Sequence, residues 1–160
     1  MIPAMVDARR FRRPRGVNEC NGDFSTTKES AIICLLHFLD CHMQDQHYED
    51  ILGKQLAMNR QTWAALQKHG VAEGRQLRLD FSYNAPNREA ADRLCALLRG
   101  QTDYEVEVES GGSSLRRKWW VEGRTQNTAV SPAVLDQWVT WMVNAGKEQS
   151  CDFDGWGTPV

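Results

Sequence analysis

Polar and hydrophobic residues alternate in four stretches of the second half of the chain. In the first, QLRLDFSY (76–83), the hydrophobic positions are Leu77, Leu79, Phe81 and Tyr83. The others are DYEVEVES (103–110), KWWVEGRTQ (118–126) and CDFDGWG (151–157). Alternation with a period of two residues is typical of strands with one buried face. The pattern therefore predicts four strands.

Two segments between these strands have the hydrophobic period of a helix. In NAPNREAADRLCALLRG (84–100), Pro86–Asn87 mark a start, Gly100 marks an end, and the buried stripe is Ala91, Leu94, Cys95 and Leu98. Before the last strand, Ser131 and Pro132 form an N-cap and a first helical position. The stripe that follows comprises Leu135, Trp138, Val139, Met142 and Val143.

A further helical pattern precedes the first strand. Residues 47–70 carry Leu52, Leu56, Trp63 and Leu66 near helical spacing, and Gly70 is placed to end the helix. Because Asn59 can cap a second segment, either one kinked helix or two short helices is predicted.

From residue 77 the predicted order is β-α-β-β-α-β. With right-handed crossovers, this order predicts the α+β class and a ferredoxin-like βαββαβ sandwich, in which two helices cover one face of a four-stranded antiparallel sheet. The helix at 47–70 is then an N-terminal helical addition.

Composition limits the class of protein. The chain has 160 residues, a formal net charge of −2 and 41% hydrophobic residues, which suits one domain with a core. Its longest apolar run, AIICLLHFL (31–39), is shorter than the roughly 18 residues of a membrane span. The five cysteines are odd in number and lack a CxxC pair, which favours reduced thiols. We expect a cytoplasmic protein without membrane contact.

Residues 1–42 differ from the remainder, because ARRFRRPRG (8–16) carries five arginines and a polar stretch follows. We expect a poorly ordered basic and apolar extension, and the pattern favours translation from Met43, which leaves residues 43–160 as the domain. A basic arm for nucleic acid or membrane and a targeting segment are the alternatives. Cys34, His37 and Cys41 would share a helix face, but no fourth ligand is evident, so no metal is predicted.

The alternation also defines the sheet face that points away from the helices. Its acids are Asp80, Glu105, Glu107, Glu109, Glu122, Asp152 and Asp154. Its bases are Arg78 and Arg124, and its aromatic residues are Trp120 and, in our interpretation, Trp156. A face with this charge attracts Arg/Lys-rich polypeptide and repels phosphates. The alternative is a solvated exterior without a partner.

Trp156 stands between Gly155 and Gly157, close to the end of the sequence. Glycines let the backbone turn and approach closely. The indole can therefore cover a sheet edge or the helix at 47–70, or it can anchor a partner.

Catalysis and RNA binding are less favoured. All four histidines precede residue 70, and no GxSxG, HExxH, Walker or GxGxxG motif occurs, so no catalytic residue, cofactor or small-molecule substrate is predicted. Trp119 and Trp120 follow Arg116, Arg117 and Lys118 and suggest an RNA platform, but the neighbouring acids oppose it.

The motif Asp154-Gly155-Trp156-Gly157-Thr158, closing a βαββαβ unit behind a leading helix, resembles the bacterial regulator of ribonuclease E activity B (RraB) family. The resemblance runs from about His47 to Val160. It implies a cytoplasmic, non-catalytic protein that binds ribonuclease E at its C-terminal scaffold half and so alters RNA turnover. A ferredoxin-like interaction module for another protein, of the antitoxin or immunity type, is the alternative.

Overall fold

The computed structural model describes residues 28–113 and 117–159, with side chains described from residue 43 onward. Its elements in chain order are α1 (Lys28–Lys68), β1 (Gln76–Leu77), β2 (Asp80–Ala85), α2 (Arg88–Gln101), β3 (Glu105–Gly111), β4 (Lys118–Arg124), β5 (Thr128–Ala129), α3 (Pro132–Glu148) and β6 (Asp152–Gly157). The predicted α+β class is confirmed.

The main sheet has four antiparallel strands in the order β3-β4-β2-β6. β4 and β2 are therefore central, and β3 and β6 are the edges. Helix α2 packs on β2, β3 and β4, while α3 packs on β6 and on α2. Both helices lie on one face, and among the described elements no helix or strand forms a layer over the opposite face.

The first predicted strand is divided in two. β1 pairs with β5 in a separate two-stranded sheet, and β2 belongs to the main sheet. At the break the Leu79 amide donates to Thr125 Oγ1 (3.0 Å), and the Thr125 amide donates to the Leu79 carbonyl (2.9 Å). These bonds replace the strand ladder locally. The predicted hydrophobic positions, Leu77, Leu79, Phe81 and Tyr83, are nevertheless all buried.

The two sandwich helices begin where their capping residues predict. Asn87 Oδ1 accepts from the Ala90 amide (2.9 Å), and Ser131 Oγ accepts from the Val134 amide (3.3 Å) with Pro132 in the first turn. Each bond satisfies one of the free amides at a helix start. The predicted hydrophobic stripes of both helices are buried.

Helix α1 is continuous through Asn59, so of the two predicted alternatives the one with two short helices is not formed. It includes the predicted 47–70 helix and reaches upstream to Lys28, so the proposed boundary between residues 42 and 43 lies inside this helix. Gly70 follows its end with φ of 80°, and the Val71 amide donates to the Leu66 carbonyl (3.0 Å). The basic stretch at 8–16 lies outside the described residues.

The core is centred on aromatic rings between sheet and helices. Tyr83 is fully buried, and its hydroxyl donates to the Met142 carbonyl (2.9 Å) of α3. Its ring lies 5.0 Å from that of Phe153 and 6.1 Å from that of Phe81, both in edge-to-face geometry. Trp138 of α3 contacts Phe81 and Phe153 in turn, which joins the helix layer to β2 and β6.

Candidate functional site

The open face of the sheet can be described in rows, because the strand registers place residues opposite one another. The first row contains Glu105, Arg124 and Asp80. The second contains Glu107, Glu122, Ser82 and Gly155, and the third contains Glu109, Trp120, Asn84 and Asp152. Six of the seven acids predicted for this face therefore share one surface, which we call the acidic face, and the seventh, Asp154, is hydrogen-bonded to Asn84 of the third row.

The first row is neutralised by the protein itself. Arg124 Nε donates to Asp80 Oδ1, and this hydrogen bond raises the pKa of the Arg124 guanidinium. Arg78, which lies between β1 and β2 and outside the main sheet, donates from Nη2 to Glu105 Oε1 (2.7 Å) and from Nε to the Thr125 carbonyl (3.2 Å). Both predicted bases of the face are thus already engaged with acids.

The second row has no such compensation. Glu107 and Glu122 lie directly opposite each other on β3 and β4, and both side chains are exposed. Among the residues that the structure describes, neither carboxylate has a hydrogen bond or an ion pair, and the same is true of Glu109. These three glutamates therefore carry negative charge that no ion pair with a described residue offsets.

Trp120 is the aromatic residue of the acidic face. It is partly exposed and lies opposite Glu109 on one side and Asn84 on the other. Its ring extends over Gly111, where an added Cβ would lie 2.7 Å from Trp120 Cη2. A glycine at this position thus leaves room for the indole beside the end of β3.

Trp119 lies on the helix side instead, with Arg88 and Arg117 stacked at 5.7 and 5.9 Å from its ring centroid. The two tryptophans thus point to opposite faces and do not form one stacking platform. Arg116, which contributed to the RNA interpretation, lies outside the described residues.

The two aspartates of β6 are held at the edge of the sheet. Asp152 Oδ1 lies 2.9 Å from His47 Nε2 of α1, and Asp154 Oδ1 accepts from Asn84 Nδ2 (3.1 Å). Burial, and then the nearby charge of Asp152, raise the pKa of Tyr48 to about 12. Asp152 is therefore less available to a partner than its strand position predicts.

A concavity of about 700 Å³ occupies the middle of the acidic face. Its lining includes Glu107, Glu109, Glu122, Asp154 and, from helix α1, Met58. The Met58 side chain is 42% exposed, which is unusual for a large apolar residue of this protein. The strand pattern contains no signal for Met58, because its position depends on how α1 docks against β6 and α3.

Trp156 departs from the alternation predicted for the last strand, although it is among the residues that line the concavity. The register of β6 shifts between Phe153 and Gly155, so that Asp154 is an extra residue, and Trp156 lies opposite the inward-facing Phe81. The indole consequently turns to the helix side. Its ring lies 6.1 Å from that of Trp138, and its Nε1 donates to Asn59 Oδ1 (2.7 Å) of α1. Of the two interpretations of Trp156, this geometry agrees with a plug against the leading helix.

The glycines beside Trp156 differ in role. Gly155 has φ of 149°, a conformation that other residues rarely adopt, and the Gln55 side chain lies against it. Gln55 Nε2 donates to the Asp154 carbonyl (2.9 Å), which satisfies a backbone group exposed by the shift. A Cβ at Gly157 would meet nothing within 4 Å, so no close approach requires that glycine.

Neither thiol whose side chain is described faces the concavity. Cys95 and Cys151 are free and buried, and burial raises the pKa of Cys151 to about 11. The described residues contain no group of three or more His, Cys, Asp or Glu arranged to hold a metal. The side chains of Cys34, His37 and Cys41 lie outside the described set.

These observations define a small α+β protein with an open, acidic sheet face. The family model for regulator of ribonuclease activity B matches residues 56–158, which is most of the chain, and the chain therefore belongs to that family. A comparison with curated proteins gave no match. In the part of the chain that the structure describes, no helix is long and apolar enough to cross a membrane.

Proposed function

We propose that this protein regulates a ribonuclease by binding it, without catalysing a reaction itself, and that ribonuclease E is the partner. Membership of the regulator of ribonuclease activity B family supports a role in ribonuclease regulation. We also infer a ferredoxin-like sandwich, because the strand order β3-β4-β2-β6 with two helices on one face agrees with it.

The observation that carries the proposal is the acidic face on a member of this family. Three exposed glutamates without ion-pair partners among the described residues line a concavity, and Trp120 lies opposite one of them, Glu109. Such a surface attracts a basic polypeptide and repels RNA. The regulator would act by occupancy: it covers a basic segment of the C-terminal scaffold half of ribonuclease E and alters access of RNA or other subunits, in the cytoplasm.

The test is capture of purified ribonuclease E, full-length or lacking its C-terminal half, by the immobilised protein. We expect capture of the full-length enzyme only. Charge reversal by Glu105→Lys, Glu107→Lys and Glu109→Lys should weaken capture at least about tenfold. A matched control reverses three exposed acids away from the face: Glu49, Glu73 and Glu148.

Two results would contradict separate parts of the proposal. Equal capture by the face variant and the control variant would exclude the acidic face as the binding surface. Absence of capture by the unmodified protein would exclude ribonuclease E as the partner and would favour an interaction module for a different protein. RNA cleavage by the purified regulator alone would exclude a non-catalytic role.

A further inference from the structure

The first and second rows of the acidic face differ in whether their acids are paired with arginines of the protein itself. In the first row each acid has an arginine of the protein itself: Arg124 for Asp80 and Arg78 for Glu105. In the second row Glu107 and Glu122 face each other, and neither forms an ion pair with a described residue. Like charges directly opposite in a sheet are destabilising. The sheet therefore retains a pair of like charges that no ion pair with a described residue offsets.

We propose that Glu107 and Glu122 form a slot for an arginine side chain of the partner, which repeats the arginine–carboxylate pairing of the first row. This inference takes the identity of the partner from the proposed function. It adds which residues make the contact and which side chain of the partner they bind. The occupant is an extended, arginine-bearing polypeptide segment lying in the concavity between α1 and β3.

The surroundings of the slot favour arginine over lysine. A guanidinium is planar and can donate to two carboxylates at once, while an ammonium acts as a point charge. Trp120 precedes Glu122 by two residues on β4 and lies on the same face, where its partly exposed ring offers a stacking surface. Guanidinium groups stack on indole rings more often than ammonium groups do.

The spacing of the rows adds a requirement on the segment. Neighbouring rows are two residues apart, or about 7 Å along a strand. An extended segment running along β4 therefore presents alternate side chains to successive rows. Arginines two positions apart would meet the Glu107–Glu122 pair and then Glu109 with Trp120.

The probe is a twelve-residue peptide with arginine and serine alternating, compared with the same peptide carrying lysine or neutral citrulline in place of arginine. Binding is measured by calorimetry, and its location by NMR shifts of the Glu107 and Glu122 amides and the Trp120 indole. We expect the arginine peptide to bind at least about fivefold more tightly than the lysine peptide, and the citrulline peptide to show no binding.

The key variant is Glu107→Gln with Glu122→Gln, and its matched control is Glu49→Gln with Glu73→Gln, two exposed acids away from the face. The key variant should weaken arginine-peptide binding at least about tenfold, and the control should change it less than about twofold. Because the substitutions remove a repulsion, the key variant should melt no lower than the unmodified protein, and about 1–3 °C higher at low salt.

Equal binding by the key variant and the control would overturn the slot, as would equal binding of the lysine or citrulline peptide. Shifts on the acidic face caused by a single-stranded RNA oligomer would also overturn it. Capture of ribonuclease E without peptide binding would refute the slot and leave the proposed function standing. Peptide binding without capture would support the slot and refute the choice of partner.

Discussion

Replacing Asn59 with alanine should loosen helix α1 from the sandwich. Asn59 is 3% exposed and connects three elements. Its Oδ1 accepts from Trp156 Nε1 of β6 (2.7 Å), and its Nδ2 donates to Asp136 Oδ1 of α3 (2.8 Å). Alanine removes both bonds and leaves a partly buried indole N–H and a carboxylate without this partner.

The size of the effect follows from these two bonds. The indole bond contributes about 1 kcal/mol and the charge-assisted bond about 1.5–3 kcal/mol, while alanine restores roughly 0.5 kcal/mol of helix propensity. We expect Asn59→Ala to lower the free energy of unfolding by about 2–3.5 kcal/mol. For a chain of this size the melting midpoint should fall by about 4–14 °C.

The assay is urea unfolding followed by circular dichroism and tryptophan fluorescence, with Arg60→Ala as the control on the exposed side of the same helix. That control should stay within about 0.5 kcal/mol of the unmodified protein. Trp156→Phe keeps most of the ring and removes the donor. A double-mutant cycle of Asn59→Ala with Trp156→Phe should therefore give a coupling of about 1 kcal/mol.

A coupling free energy below about 0.3 kcal/mol would refute the reasoning. The Trp156–Asn59 hydrogen bond would then be no more favourable than the hydrogen bonds that the two groups make with water in the unfolded state. An Asn59→Ala variant as stable as the Arg60→Ala control would show that α1 is not fastened at this point.

Three further predictions concern packing and ionisation. Gly146→Ala should destabilise the fold by about 2 kcal/mol or more, because its Cβ would lie 2.5 Å from the Cys151 carbonyl, whereas Gly100→Ala meets nothing within 4 Å and should be neutral or stabilising in thermal melts. The Cys151 thiol, with its pKa raised to about 11, should resist iodoacetamide at pH 8 in the folded state and react after unfolding, as read by peptide mass spectrometry. Tyr48, with its pKa raised to about 12, should ionise late in absorbance titrations at alkaline pH. Since a raised pKa means that the folded state holds the proton more tightly, stability should be full below about pH 10 and fall towards pH 12; a flat profile over that window would contradict this.

The residues that form the core could be predicted from the sequence, and so could most of the helix starts. Alternation places Phe81 and Tyr83 on one side of a strand wherever that strand lies, and the capping residues Asn87 and Ser131 act within one turn of their own helices. The acidic face followed from the same alternation in β3 and β4. The side that a residue takes along a strand and the capping bond at a helix start are set by near neighbours in the chain, so the local pattern is sufficient for them.

Only the tertiary structure decided which charges are neutralised and where Trp156 points. Arg78 reaches Glu105 and Arg124 reaches Asp80 through strand registers that no local pattern specifies. The extra residue in β6 reverses the side on which Trp156 lies, and the docking of α1 supplies its partner Asn59. Register and docking depend on hydrogen bonds and packing between segments far apart in the sequence, so a period of two or of 3.6 residues cannot reveal them.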